Sequence, residues 1–256
     1  MNIRHSSLSE IYPLPPQQLR FIEENDHQYM KIGDFNVQML QQALPTEKIH
    51  CILDIGCGYG RLDHVLLRSG TFEGTYYGLD ILPAHITWCQ HHLSRQGLFH
   101  FKHLDIHNDR YNPSGKYHVT DMDFSSMPKV DIVSFYSVFT HLYEDDIRFY
   151  LKSAASMLTP HGKVLCTAFL RNESSAAGEA AGKSRYPLAH HLNEYTRYYN
   201  ENDPLHAISF DESAFFDMIF ESGLRTEQIL LGGWCGRTVA TKLDPFQDLI
   251  IATLTE

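Results

Sequence analysis

Apolar runs alternate with amphipathic stretches along the chain from residue 48 onward. The apolar runs are rich in β-branched and aromatic residues and read IHCILDI, TYYGLDI, LFHFKHLDI, VDIVSFYSVF and GKVLCTAFL, with DLIIATL near the carboxyl end. Continuous apolar runs of this length are typical of strands that are buried on both faces of a parallel sheet. The pattern therefore predicts an α/β fold in which a parallel sheet is wrapped by helices.

The segments between these runs have apolar residues at helical spacing. GRLDHVLLRSG and PAHITWCQHHLSRQG each close on glycine, and YEDDIRFYLKSAASML closes on TPHG. Glycine just past the last helical residue is a common stop signal, because it adopts the left-handed conformation freely. Helical crossovers are therefore expected between the strands.

Two segments depart from this alternation. Residues 1–45 combine IYPLPPQQLRF with a helical pattern that ends in MLQQALP, which predicts an amino-terminal helical extension or lid. Residues 171–207 begin with small and polar residues typical of a mobile loop and then become rich in aromatic, histidine and charged residues. Long insertions of this kind are usually functional lids or else disordered. We expect the extension to be followed by one domain, 46–256, with a substrate-side insertion at about 171–207.

Length and charge narrow the classes of function. A chain of 256 residues can bury one substantial core, or one core and a small lid. Its formal net charge of -10 argues against the broad basic surface that nucleic-acid binding requires. The amino terminus has no apolar core for a signal peptide, and no run is long enough to cross a bilayer. We expect a soluble cytoplasmic protein without a nucleic-acid partner or an integral membrane segment; a homodimer stays open.

Cysteine and histidine patterns give no metal site. The 5 cysteines form no CxxC pair, so neither a disulfide framework nor a zinc knuckle is predicted. The 16 histidines include two HH pairs, but no HxxxH or HExxH spacing accompanies those pairs. We therefore predict reduced thiols and no metal cofactor.

The run CILDIGCGYG, residues 51–60, leads from the first predicted strand into the first helix. Its glycine turn lets a ligand approach the backbone, and the helix amino terminus favours an anionic group. The dinucleotide fingerprint GxGxxG fits poorly, because the third glycine comes one position early. Asp54 would repel a diphosphate but attract an ammonium group. The loop therefore favours S-adenosylmethionine, which carries an amino-acid moiety, over a nicotinamide dinucleotide.

Two further acidic residues end the next two strands. Asp80 lies about twenty residues past the loop, where a carboxylate can accept both ribose hydroxyls. Asp105 can accept from an adenine amino group while the amide of Ile106 meets the ring, although acids also end strands as helix caps. The predicted cofactor-binding residues are Asp54, Gly56, Cys57, Gly58, Asp80, Ile81, Asp105, Ile106 and Tyr136.

These segments together resemble a known family. LDIGCGYG, GLDI, HLDI, DIVSFYSVFTHL and LTPHGKVLCTAF are similar to the successive motifs of class I S-adenosylmethionine-dependent methyltransferases over residues 50–170. PPQQLRF, GGWCGR and QDLIIATL resemble one bacterial branch, often associated with cell-surface saccharides. One departure is His161, which replaces the first glycine of the usual LxPGG. The resemblance implies a Rossmann-like, doubly wound seven-stranded sheet, mostly parallel with its last strand antiparallel, helices on both faces, and ligands at the carboxyl ends of the strands.

Candidate catalytic residues are histidines and one acid. His141 follows the fourth strand, where an imidazole can serve as general base or can instead order the loop. His190 and His191 would share a helical face with Glu194, as a base and its orienting carboxylate, although a polar helix surface has the same pattern. The candidate substrate-binding residues are Tyr12, Arg20, Tyr29, Arg185, Tyr195, Trp234 and Arg237.

The resulting functional hypothesis is methyl transfer from S-adenosylmethionine to an oxygen, with nitrogen less favoured, of a small molecule or saccharide. Because a neutral thioether leaves, positioning supplies much of the rate, and a base matters only for a protonated nucleophile. The alternatives are a catalytically silent cofactor-binding scaffold or regulator, and a nicotinamide-dependent oxidoreductase of similar fold. Methylation of nucleic acid is disfavoured by the acidic balance and by the lack of an Asn-Pro-Pro-Tyr signature after the fourth strand.

Overall fold

The computed structural model describes residues 12–45, 48–70, 72–95, 97–239, 243 and 245–255. Elements are numbered in chain order. The strands are β1 (Cys51–Ile55), β2 (Thr75–Asp80), β3 (Phe99–His103), β4 (Val130–Phe135), β5 (Leu158–Ala168), β6 (Leu170–Arg171), β7 (His190–His191), β8 (Thr196–Asn200), β9 (Asp203–Asp211), β10 (Leu224–Leu230) and β11 (Asp248–Leu254). The α-helices are α1 (Asp26–Ala43), α2 (Arg61–Ser69), α3 (Pro83–His92), α4 (Glu144–Met157), α5 (Glu173–Ala180) and α6 (Glu212–Glu221).

Seven strands form the central sheet in the order β3-β2-β1-β4-β5-β11-β10. β1 to β5 pair in parallel, whereas β11 runs antiparallel to both β5 and β10. The chain order reverses between β1 and β4, so the carboxyl ends of these strands frame a crevice. The predicted α/β fold, with a doubly wound sheet and an antiparallel last strand, is confirmed.

Apolar side chains cover both faces of the sheet. Successive residues of a strand point to opposite faces, so Leu53 joins one core cluster and Ile52 joins the other. In β4 the same alternation separates Val133 from Ile132. Burial on both faces explains why each strand reads as a continuous apolar run.

The three predicted crossover helices are present as α2, α3 and α4, with differences at their ends. α2 stops at Gly70, whose φ of 62° is left-handed, as the sequence predicted. α3 ends at His92 with Leu93 at its C-cap, so the prediction that it closes on glycine is wrong. TPHG likewise forms no separate turn, because β5 begins at Leu158, directly after α4, and includes this segment. The pairing of β5 with β4 is irregular there.

The segment predicted to start as a mobile loop is largely regular. Glu173–Ala180 forms α5, because alanine favours helix and Asn172 caps it in a reciprocal pair with Ser175. β6, β9, β8 and β7 then build a second sheet in that order, with β8 antiparallel to both β7 and β9. This insertion packs beside the ends of the main strands.

The amino-terminal segment includes a helix where the pattern predicted one. α1 packs closely on α2, since a Cβ at Gly33 would lie 2.6 Å from the carbonyl oxygen of Arg61. Residues 12–25 are irregular, apart from one 3₁₀ turn at Gln17–Leu19. Residues 1–11, which complete the predicted extension, lie outside the described residues.

Several properties of the described ranges bear on chemistry. Across those ranges, no helix is both long and apolar enough to span a membrane. The five cysteines are all free thiols. In the same part of the chain, no three metal-ligating side chains stand close enough together to hold an ion.

Candidate functional site

A large cavity opens at the carboxyl ends of the parallel strands. Its volume is about 1180 Å³, more than the 300–1,000 Å³ typical of a pocket for one drug-sized ligand. We call its two parts the loop half and the insertion half. The loop half is lined by Gly56, Gly58, Asp80, Ile81, Ile106 and Tyr136, and the insertion half by His141, Arg185, Tyr186, Leu205, His206 and Phe246.

The glycine loop needs glycine for two different reasons. Gly56 has a φ of 79°, and a Cβ there would lie 2.4 Å from a methyl carbon of Val138. Gly58 has a φ of 59° with no protein atom within 4 Å of a Cβ position, so the space before it faces the cavity. Gly60 then precedes α2 with a φ of 83°. Side chains would either strain this turn or block the approach of a ligand.

Asp80 connects the glycine loop to the end of β2. Its Oδ2 accepts from the backbone N–H of Gly58 at 2.7 Å, and its Oδ1 accepts from that of Leu82 at 2.8 Å. Burial raises the pKa of Asp80, and the two N–H donors oppose that shift. Because each carboxylate oxygen has two lone pairs, Asp80 retains acceptor capacity toward the cavity.

Asp54 lies behind the cavity wall rather than on it. The hydroxyl of Tyr76 donates to its Oδ2 at 2.7 Å, and that of Ser134 donates to its Oδ1 at 2.6 Å. Burial raises the pKa of Asp54 to about 6, against these two hydrogen bonds. Cys57 is also buried behind the loop. The geometry therefore gives Asp54 a role in holding β1 to its neighbours, and direct contact with an ammonium group is not supported.

The β3 side of the cavity differs from expectation at one residue. Ile106 lines the cavity as predicted. The Asp105 carboxylate instead pairs with Lys116 at 3.5 Å, outside the cavity wall. Neighbouring Asn108 supplies a polar amide to the lining, and its Nδ2 donates to the backbone oxygen of His141 at 3.2 Å.

A strained turn follows β4 beside the loop half. Ser137 has a φ of 56°, which is rare for a residue other than glycine and typical of functional sites. Its backbone N–H donates to Thr167 Oγ1 at 2.8 Å, and its hydroxyl donates to Gln247 at 3.0 Å. Tyr136, just before it, lines the cavity and donates from its hydroxyl to the backbone oxygen of Asn36 at 2.9 Å. The turn after β4 therefore places Tyr136 and Ser137 in the cavity lining.

His141 lies at the junction of the two halves. Its Nδ1 is 2.8 Å from the carbonyl oxygen of Leu205, and because a carbonyl only accepts, Nδ1 carries the proton. Nε2 then keeps its lone pair. Burial lowers the pKa of His141 to about 4, so the ring is neutral at pH 7. Tyr111 meets the ring edge-on at 5.3 Å. A fixed, neutral imidazole facing a cavity can accept a proton, and its lowered pKa makes it a weaker base than an ordinary histidine.

Aromatic rings form one wall of the insertion half. Tyr186 has its ring centroid 5.9 Å from His206 and 6.3 Å from Phe246, which is 44% exposed. The guanidinium carbon of Arg185 lies 5.8 Å from the centroid of Tyr186 and 6.0 Å from that of Phe246. An apolar wall with a few polar groups is typical of small-molecule sites.

The other predicted catalytic residues lie outside the cavity lining. His190 and His191 form the short strand β7, so the prediction that they share a helical face with Glu194 is wrong. Strand pairing explains the difference, because His190 pairs with Tyr198 and stacks on it at 5.2 Å. Glu194 is exposed in the turn that follows.

Most predicted substrate-binding residues hold the structure around the cavity. Arg20 donates to Pro15 and pairs with Asp26, and the Tyr29 hydroxyl donates to the backbone oxygen of Gly60 at 2.7 Å. Tyr12 accepts through its backbone oxygen from His64. Tyr195 is near Glu144, away from the lining. Of the seven predicted residues, Arg185 is on the cavity wall.

Trp234 and Arg237 contact a buried carboxylate rather than the cavity. Trp234 is fully buried, and its Nε1 donates to Asp248 Oδ2 at 2.8 Å. Arg237 pairs with Asp248 Oδ1 at 3.0 Å. The backbone N–H groups of Gly232 and Leu170 complete the contacts of Asp248. This buried network fixes the connection that precedes β11.

The sequence predicted a lid within residues 1–45, but not the contacts by which residues 21–23, which we call the strap, are held at the loop half. Glu23 is only 2% exposed; it accepts from the Tyr59 hydroxyl and pairs with Arg61 at 3.3 Å. The same hydroxyl accepts from the backbone N–H of Phe21 at 3.2 Å, and Phe21 lines the cavity. His206 and Phe246 were missed as well, because neither belongs to a recognisable local motif.

Fold and site together define a Rossmann-like domain with a ligand cavity at the switch point of its sheet. Residues 53–164 match the family model described as a methyltransferase domain. That match spans β1 to β5, including the glycine loop and Asp80. These residues are therefore similar in sequence to a methyltransferase domain.

Solved structures share the fold at low sequence identity. A TehB-like S-adenosylmethionine-dependent methyltransferase from Corynebacterium glutamicum is 15% identical, with a TM-score of 0.50 over 87% of this chain and 88% of that one. Magnesium protoporphyrin IX methyltransferase from Synechocystis, solved with S-adenosylhomocysteine, is 12% identical, with a TM-score of 0.54 over 92% and 90%.

A third similar structure is 1,6-didemethyltoxoflavin-N1-methyltransferase from Burkholderia thailandensis, solved with bound 1,6-didemethyltoxoflavin and S-adenosylhomocysteine. It is 14% identical, with a TM-score of 0.53 over 90% of this chain and 80% of that one. At such identities these likenesses establish the fold shared by the three proteins and this chain.

Proposed function

We propose that this protein is an S-adenosylmethionine-dependent methyltransferase that methylates an oxygen, with nitrogen less favoured, of a small molecule or saccharide. The observation that carries the proposal is the continuity of the cavity. It joins the Gly58–Asp80 contact in the loop half to His141 and an aromatic wall in the insertion half. A cofactor in one half and an acceptor in the other would meet at the junction.

The loop half fits the adenosyl cofactor. Asp80 has acceptor capacity for ribose hydroxyls, and the open face of Gly58 lets a ligand approach the backbone. Ile81 and Ile106 offer apolar surface in the cavity lining for a purine ring. The cofactor supplies an electrophilic methyl group on a sulfonium, and the protein's part is to orient it.

The chemistry asked of the protein is mainly positioning. Methyl transfer is an in-line displacement that needs no acid at the leaving group, so alignment of the acceptor supplies much of the rate. A hydroxyl acceptor must also lose its proton as the methyl group moves. We assign that proton to Nε2 of His141, because the Leu205 carbonyl fixes the tautomer in which this nitrogen is an acceptor.

His206 offers a second base in the insertion half. Its Nδ1 lies 3.9 Å from Asp203 Oδ2, and Asp203 also pairs with Arg110. The longer distance and the shared carboxylate hold this ring less firmly than Leu205 holds His141. We therefore place His141 as the base and His206 as a wall residue.

Two alternatives compete with this proposal. A silent scaffold would need the loop half alone, whereas the cavity continues into an aromatic and polar half. A nicotinamide oxidoreductase would need room for a diphosphate and a second nucleoside at the glycine loop. The match of residues 53–164 to a methyltransferase domain weighs against that reading.

The proposal is tested by methyl transfer to acceptors of different size. The protein is incubated with methyl-labelled S-adenosylmethionine and separate pools of phenols, hydroxylated saccharides, amines, RNA and protein. We expect label in low-mass phenol or saccharide products, with His141→Asn as a control that lowers it. Label in RNA or protein alone, or formation of no labelled product in any pool, would contradict the assignment.

A further inference from the structure

Three arginines line the cavity, and one of them differs from the others in its partners. Arg61 pairs with Glu23 at 3.3 Å, and Arg110 pairs with Asp203. Arg185 is exposed, and no described residue forms an ion pair with it. Its guanidinium is held over the rings of Tyr186 and Phe246. The insertion half thus contains a positive charge that these protein partners leave uncompensated.

The backbone around Arg185 is fixed by buried contacts. The N–H of Arg185 donates to the carbonyl oxygen of Trp234 at 3.0 Å. Trp234 is in turn held by Asp248, which accepts four hydrogen bonds at the start of β11. Phe169 packs on Trp234 at 5.1 Å and on Tyr186 at 5.7 Å. Because these contacts fix the backbone at Arg185, binding a ligand there costs little further conformational entropy of the backbone.

An arginine on an aromatic wall recognises a specific kind of ligand. A guanidinium donates two parallel hydrogen bonds to a carboxylate, and it does so best where aromatic surface excludes some water. A ring in the ligand can then lie against Tyr186 or Phe246 while its anionic group meets Arg185.

We infer that the methyl acceptor is a ring compound carrying an anionic group, which Arg185 binds against the Tyr186 and Phe246 wall. This inference rests on the proposed function, because it names the acceptor class of the same cavity. The ring is either aromatic or a saccharide, and a carboxylate is the anion tested. The net charge of -10 opposes the approach of an anion, so an anionic acceptor depends on a local positive group such as Arg185 for its binding.

The test uses ¹⁵N-arginine protein titrated in the presence of S-adenosylhomocysteine. The Arg185 Nε–H signal is assigned by its loss in Arg185→Gln. Matched probes separate charge from ring type: 4-hydroxybenzoate against 4-hydroxybenzamide, and glucuronate against methyl glucoside. We expect at least one anionic probe to shift the Arg185 signal saturably, while its neutral counterpart does not.

Three variants check that the effect belongs to Arg185. Arg185→Gln should weaken binding of the anionic probe roughly tenfold to hundredfold, as loss of a charged hydrogen bond does. Arg185→Lys should keep the preference for the anion at lower affinity. Arg225→Gln, an exposed arginine on β10 outside the cavity, should bind as the wild type does.

The inference is overturned if neither anion shifts the Arg185 signal, if neutral probes match the anions, or if Arg185→Gln binds the anion normally. Binding of S-adenosylhomocysteine is measured on the same samples. Its failure would count against the proposed function, and the probe titrations are then run without it and judged by the same criteria. The two claims therefore fail separately.

Discussion

The backbone N–H of Gly58 donates a 2.7 Å hydrogen bond to the carboxylate of Asp80, across the gap between β1 and β2. This contact ties the glycine loop directly to the acid that faces the cavity. Leu82 holds the second oxygen of the same carboxylate at 2.8 Å. The loop and the acid therefore act as one unit, and changing either should alter the cofactor half of the cavity.

Asp80→Asn tests this unit with little change in size. An asparagine has one acceptor oxygen instead of two, so either Gly58 or Leu82 loses its partner and the ribose hydroxyls lose a charged acceptor. We expect affinity for S-adenosylhomocysteine to fall by about 10- to 100-fold, with the circular dichroism spectrum unchanged. Asp217→Asn, at an exposed position of α6, serves as the control. Unchanged affinity in Asp80→Asn would mean that the ribose assignment is wrong.

His141→Asn tests the proton acceptor at the junction. An asparagine amide can still donate to the Leu205 carbonyl, but it cannot take a proton. We expect kcat for a hydroxyl acceptor to drop by about 10²–10⁴-fold, with cofactor affinity retained. His206→Asn is the matched comparison and should lower kcat less than tenfold. The reverse order of effects would move the base to the Asp203–His206 pair.

The low pKa of His141 also predicts a pH-dependent contribution to stability. Its folded pKa of about 4 lies below the unfolded value near 6.5, so the unfolded state binds more protons between these values. The contribution is therefore fully present above pH 6.5 and is lost as the pH falls toward 4. The loss amounts to at most about 2 kcal/mol at pH 5.

Urea unfolding at pH 7.5 and pH 5 measures this linkage. His141→Asn lacks the titrating ring, so it should lose less free energy of unfolding on acidification than the wild type does. The comparison between the two proteins cancels the opposing effect of Asp54, whose pKa is raised by burial in both. Equal losses in the two proteins would show that the ring is not held neutral by burial.

Tyr59→Phe tests the strap over the loop half. The change leaves the buried carboxylate of Glu23 without its hydroxyl donor, a loss of about 1–3 kcal/mol. We expect faster amide exchange at Phe21 and neighbouring residues, together with several-fold weaker cofactor binding. Tyr117→Phe, at a residue that is 50% exposed, is the control. Unaltered exchange and affinity would show that the strap is independent of the Tyr59 hydroxyl.

The sequence was most informative for strands that are buried on both faces of the sheet. Strands such as β1 and β4 are covered on both faces, so their apolar runs appear directly in the sequence and give the α/β fold. The position of Asp80 at the cavity was also predictable, since the number of residues between the glycine loop and the acid is set by one helix and one strand.

Other features depend on contacts between distant parts of the chain. Asp54 was assigned to a ligand, but its side chain lies behind the cavity lining, where Tyr76 and Ser134 of the neighbouring strands donate to it. His190 was assigned to a helix face, because spacing alone does not show its pairing with Tyr198. Trp234 was predicted to bind the substrate, whereas its indole N–H donates to the buried Asp248.

Calorimetric titration of the purified protein with S-adenosylmethionine, S-adenosylhomocysteine and NAD tests the central claim most directly. The account predicts binding of the two adenosyl compounds and no heat from NAD, because the Gly58–Asp80 unit is open to an adenosyl ribose and the loop lacks the dinucleotide spacing. Binding of NAD alone, or of none of the three, would contradict it.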